Sequence, residues 1–251
     1  MVAVKIHHIG IVVEKLQAAY EFYRDALGLP VIREAEVPDQ GVRAALLAAG
    51  ENELELLEPI AAGTGVGRFL AKRGEGLHHL CFETKDVGAA LGELKAKGVT
   101  LIDQAPRPGL AGLIAFIHPA ACAGVLVELA TPLWLMPSTP SQVRFKRLVI
   151  GARDPRTTAQ VFQRLFALSE QFMNGGPRVM LSVGRDSILV VPREEVGGME
   201  GMVALSLMTE DLEALVQRLE RVGAAILKGA GEVTVEPRSS HGVHLHVSRY
   251  E

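Results

Sequence analysis

Three observations predict an α+β protein made of four tandem βαβββ units, paired into two domains. Short apolar strands at residues 6–13, 77–84, 145–152 and 201–209 each run into an amphipathic helix. Further strand-like runs follow the helices, among them 43–48, 52–58, 112–118 and 124–130. The Pro-, Ser- and Thr-rich stretch "TPLWLMPSTPS", residues 131–141, parts the second unit from the third. Self-similarity of this kind defines an architecture before any motif does. The predicted boundaries are a first domain over residues 1–132, a linker over 133–143 and a second domain over 144–251.

The elements follow in chain order. "KIHHIGIVV", residues 5–13, alternates and is β-branched like a buried strand. Residues 14–28 carry the stripe Leu16, Ala19, Tyr20, Tyr23 and Leu27, and Gly28 supplies a stop. "GLHHLCFET", residues 76–84, repeats the first strand, and 86–98 repeats the helix through Val87, Ala90, Leu91 and Leu94 up to Gly98. The third helix begins at Asp154, a capping residue, with Pro155 suited to its first turn. The fourth, 211–223, carries Leu212, Leu215, Val216, Leu219 and Val222.

A chain of 251 residues is comfortable for two such domains. With 48% apolar but only 5% aromatic residues, its core must be aliphatic. The net charge is −3 with both signs mixed throughout, and without a basic block there is nothing to grip a phosphate backbone, so no nucleic-acid partner is expected. No apolar run approaches a membrane span, and the N-terminus lacks a signal peptide's layout. Cys81 and Cys122 read as reduced, packed thiols, which points to a cytoplasmic protein.

Two strands hold histidines where aliphatic side chains would pack better. Alternation places His8 with Ile6, Gly10 and Val12, and His79 with Leu77, Cys81 and Glu83. Each is opposite the larger apolar set that a helix covers. His7 and His78, the first of each pair, read as strand-entry residues. In "ENELELLEP" Glu55 shares a face with Glu53 and Leu57, and in "GVLVELATP" Glu128 lies opposite Val125, Val127 and Leu129. A carboxylate inside such a run is costly to bury unless something positive meets it. Glu55 follows His8 at nearly the spacing by which Glu128 follows His79. If a pseudo-twofold axis relates the units, the four side chains converge. Two imidazoles and two carboxylates suit a divalent transition metal with positions left for substrate.

At these residues the chain resembles the vicinal oxygen chelate (glyoxalase/bleomycin resistance/dioxygenase) superfamily, and within it the methylmalonyl-CoA epimerases. "HHIGIVV", "EVPDQGV", "ELELLEP", "GEGLHHLCFE", "AFIHP" and "GVLVEL" stand in that family's order over residues 5–132. The resemblance implies glyoxalase-like domains, metal ligands His8, Glu55, His79 and Glu128, and a divalent ion such as Co2+, Mn2+, Ni2+ or Zn2+. It implies epimerisation of a 2-methylmalonyl-CoA-type thioester through an enolate, with Glu128 as ligand and catalytic base. The partner is then a small acyl-CoA, and the two halves form a pseudo-dimer within one chain, with a homodimer as a further option. Ala44 stands where some epimerases place a catalytic glutamate, which leaves the second acid/base open among Glu34, Glu36, Glu53 and a water. A glyoxalase I-like lyase and a non-catalytic binding protein are the alternatives.

The second half keeps the frame without the ligands. Arg147, Ile188, Ala204 and His246 align with His8, Glu55, His79 and Glu128. No metal is expected there, since a site needs a full ligand set. His241, His244 and His246 read as strand residues with local hydrogen bonds.

Overall fold

A computed structural model describes residues 3–133 and 139–250. The middle of the expected linker, residues 134–138, lies outside the described residues.

Four βαβββ units follow one another along the chain. The first is β1 (Lys5–Val12), α1 (Leu16–Tyr20), β2 (Val31–Val37), β3 (Val42–Ala49) and β4 (Asn52–Pro59). A helix the sequence reading did not anticipate, α2 (Gly65–Arg73), leads into the second unit. That unit holds β5 (Gly76–Glu83), α3 (Val87–Ala96), β6 (Arg107–Gly109), β7 (Gly112–Ile117) and β8 (Val127–Thr131). The third holds β9 (Val143–Ala152), α4 (Pro155–Phe166), β10 (Ser169–Gln171), β11 (Val179–Val183) and β12 (Asp186–Pro192). The fourth holds β13 (Gly201–Thr209), α5 (Leu212–Arg221), β14 (Ile226–Gly229), β15 (Glu232–Val235) and β16 (His244–Arg249).

Local chemistry sets the helix ends. Asp86, Asp154 and Asp211 each accept a hydrogen bond from a first-turn backbone N–H, satisfying donors that the helix itself leaves open. The first helix departs from expectation. After Tyr20 it widens into a π-helical segment, Glu21–Ala26, with Leu27 N–H donating to the Phe22 carbonyl. The wider turn takes the neighbours Phe22 and Tyr23 both inside. Gly28, at φ +78°, then turns the chain out of the helix.

The strands form two eight-stranded sheets, in the orders β2-β3-β4-β1-β5-β8-β7-β6 and β10-β11-β12-β9-β13-β16-β15-β14. In each, the opening strands of two units are central neighbours and their second strands are the edges. The core is aliphatic, as the composition requires: Ile6, Ile9, Ile11, Leu47, Leu54 and Leu56 are fully buried. Burying each such side chain stabilises the fold by about 1.5–3 kcal/mol.

By contacts the chain divides into two compact units. One comprises Met1–His8, His79–Met136 and Arg147–Val203. There Phe166 packs on Phe82 with ring centres 4.8 Å apart, and Asp186 accepts a hydrogen bond from the Ile6 N–H at 2.9 Å. The other comprises Ile9–His78, Pro137–Lys146 and Ala204–Glu251. There the Tyr23 hydroxyl donates to the Ser240 carbonyl at 2.9 Å, and Arg218 Nε donates to the Ala26 carbonyl at 3.0 Å.

Candidate metal centre

The site starts from β1, β5 and β8. β8 runs parallel to β5, with Glu128 in register with Cys81, and antiparallel to β7, with Glu128 in register with Phe116. His8 is fully buried, and His79 and Glu128 are 1% and 3% exposed. His8 Nε2 lies 2.9 Å from His79 Nε2, with the rings edge to face. Glu128 Oε2 lies 3.3 Å from His79 Nε2 and 3.9 Å from His8 Nε2. Donors bound to one ion at ~2.1 Å sit about 3 Å from one another, so these separations suit a shared cation. A ligand atom from each of His8, Glu55, His79 and Glu128 lies within 4.8 Å of the others, and all four residues are buried. The mixture of imidazole nitrogen and carboxylate oxygen fits a transition-metal ion.

Three residues around this cluster escaped the sequence reading. His7 is not a simple strand-entry residue. It is 7% exposed, and its Nδ1 lies 3.0 Å from His8 Nδ1. When His8 Nδ1 donates in that bond, its Nε2 keeps the lone pair that a metal ligand needs. Strict alternation puts neighbours on opposite faces and so hides this contact. Cys81 brings its sulfur within 4.8 Å of ligand atoms of His7 and His8, and the alternation of β5 already placed it beside His79. Phe116 meets the His79 ring edge to face at 5.4 Å, and Arg107 sits over Phe116. His78 is half-buried and packs against Phe69.

Of the glutamates considered as a second acid/base, Glu34 accepts the Tyr20 hydroxyl at 2.5 Å. Burial and that carboxylate together raise the Tyr20 phenol well above its usual range. Glu36 is exposed on β2, opposite Arg43 of β3. Glu53 is half-buried on β4, and Ala44 is buried on β3.

In the second half, Ile188 is buried in the core and Ala204 is half-exposed, so neither offers a ligand. His246 Nε2 lies 3.1 Å from Glu232. His244 is exposed. His241 is a turn residue at φ +53° rather than a strand residue, and its Nδ1 meets Glu75 at 2.9 Å. Neither Cys81 nor Cys122 is in a disulfide, and both are buried; among the described residues no helix is long and apolar enough to cross a membrane.

The sequence model of the Glyoxalase/Bleomycin resistance protein/Dioxygenase superfamily matches residues 7–116, spanning His8, Glu55 and His79. Mouse mitochondrial methylmalonyl-CoA epimerase is 35% identical over 127 residues, half of this chain and 71% of that protein. The chain belongs to this superfamily. A Streptomyces coelicolor methylmalonyl-CoA epimerase variant, solved with 2-nitronate-propionyl-CoA, is 41% identical with a TM-score of 0.51, covering 53% of this chain and 99% of that one. The epimerase likeness belongs to the N-terminal half. A 4-hydroxymandelate synthase variant from the same organism covers 99% of this chain and 93% of its own, with a TM-score of 0.75 at 17% identity. At that identity the likeness is one of fold alone.

Proposed function

We propose that the chain is a divalent-metal-dependent epimerase of a 2-methylmalonyl-CoA-type thioester. The observation that carries this reading is the buried meeting of His8, His79 and Glu128, with Glu55 in the same donor set. The epimerase likeness of the N-terminal half supplies the substrate class.

On this reading His8, Glu55, His79 and Glu128 hold the ion. When bound, the ion offsets negative charge that develops on the oxygens of the thioester and the neighbouring carboxylate. Glu128 takes the proton from the carbon between them, a carboxylate being the natural base for so acidic a position, and a solvent-derived proton returned to the opposite face of that carbon completes the inversion. His7 orients His8 through the Nδ1 contact, and Phe116 fixes the plane of the His79 ring. Residues 1–132 are then the catalytic domain. Residues 144–251 are a second domain of the same frame without ligands, so that one chain forms a pseudo-dimer.

The test is proton exchange. Protein supplied with Co2+ or Mn2+ is expected to incorporate solvent deuterium at the α-carbon of methylmalonyl-CoA. No exchange above background, with turnover of a glutathione hemithioacetal instead, would replace this reading with the lyase.

A further inference from the structure

The side chain of Arg147 presents a problem of a kind the paired charges elsewhere do not. It sits mid-strand on β9, and its Nε is enclosed with no hydrogen-bond partner. No acidic group among the described residues meets it, and burial alone acts on its guanidinium, lowering its pKa. An arginine that only lays its stem over apolar surface leaves its head in water. Arg147 is half-exposed, so its guanidinium keeps some water, but the enclosed Nε donor is left unpaired at a cost.

Its surroundings are those of a ligand face. β9 pairs in parallel with β12 and β12 antiparallel with β11, so that Ser182, Ser187 and Arg147 form one row across three neighbouring strands. All three are half-exposed. The next row, Met180, Leu189 and Val149, is apolar. On the other side of these strands Leu181, Ile188, Leu148, Val190 and Ile150 are fully buried, with α4 packed on β11 and β12. Gly151 shares the face of Arg147, and a Cβ there would lie 2.2 Å from the Met199 carbonyl and 2.9 Å from Val196. The turn after β12 thus closes one end. A cation and two hydroxyls beside an apolar strip, stopped at one end, match a small molecule with an oxyanion head and an apolar body.

We propose that this face of the second sheet binds a small oxyanion through Arg147, assisted by the hydroxyls of Ser182 and Ser187. The planar guanidinium takes two oxygens of a carboxylate or phosphate side by side. The apolar row of Met180, Leu189 and Val149 takes the body. Nothing here depends on the first sheet's chemistry, so the two readings stand or fall separately.

Wild-type protein and Arg147→Gln, shown to carry the same amount of metal, are titrated calorimetrically with inorganic phosphate and with succinate in a buffer free of other oxyanions. Wild-type protein is expected to bind at least one of them. Preference for phosphate or for succinate identifies the head group, and either supports the site. Arg147→Gln is expected to bind about tenfold more weakly or worse, and Ser187→Ala several-fold more weakly. Arg147→Lys keeps the charge but loses the two-pronged geometry, and it is expected to fall between. Absence of binding by either anion, or wild-type affinity in Arg147→Gln or Arg147→Lys, overturns the proposal.

Discussion

Glu128→Gln separates the chemistry of the candidate centre from its architecture. The substitution exchanges one oxygen for an amide nitrogen at a side chain that is 3% exposed. Volume is conserved, so no cavity forms, and the backbone pairing of β8 with β5 and β7 is untouched. The amide also keeps a hydrogen-bonding group 3.3 Å from His79 Nε2. What disappears is the negative charge, with part of the metal affinity, and the capacity to take a proton, so the two proteins are compared at equal bound metal. A positioned general base contributes about 100- to 10,000-fold, or about 3–5 kcal/mol of barrier. Deuterium incorporation into methylmalonyl-CoA, followed by mass spectrometry, is therefore expected to slow by ~100-fold or more. The melting temperature should move by only a few degrees. Exchange within about threefold of wild type would refute the assignment of Glu128 as the base, since no positioned base is so dispensable.

Four further outcomes follow from packing. Gly242→Ala should destabilise the protein by several kcal/mol in urea titration, because φ is +76° and the new Cβ would lie 1.9 Å from the Glu75 carbonyl. Gly223→Ala shares the left-handed backbone at φ +68° but meets open space, so it should cost only ~1–2 kcal/mol. Tyr23→Phe removes one of the two hydrogen bonds that the buried Ser240 carbonyl accepts, leaving the one from the Val243 N–H, and should lower unfolding free energy by about 0.5–1.5 kcal/mol without altering metal uptake. Burial pushes the Cys122 thiol up to about 12. A disulfide reagent at pH 8 should therefore leave it unmodified in the native protein and label it promptly in denaturant.

How much of this was legible in the sequence depends on how local each signal is. The opening strands and the amphipathic helices show in side-chain period alone, and the cap Asp154 stands where its side chain implies. The repeated spacing of His8 to Glu55 and of His79 to Glu128 is visible in the sequence because both units carry the same residue types at nearly the same separation. His7 was not, since its contact with His8 breaks the rule that neighbours face apart. α2 was missed because "GTGVGRFL" reads as a glycine-rich loop. Its start rests on Thr64, whose hydroxyl accepts from the Gly67 N–H at 2.9 Å, and a stripe of Val66, Phe69 and Leu70 was available as the clue. The π-helical turn after Tyr20 carries the same apolar stripe as an ordinary helix, so period could not reveal it. The row of Ser182, Ser187 and Arg147 depends on the register of three strands, which no single segment encodes.

The most direct test of the central claim is the number of cobalt ions held per chain after equilibrium dialysis, measured on wild type, His8→Ala and His79→Ala. The account predicts one tightly held ion in the wild type and a loss of at least tenfold in affinity in each variant. A wild-type chain that takes up no cobalt, or variants that hold it as firmly as the wild type, would contradict it.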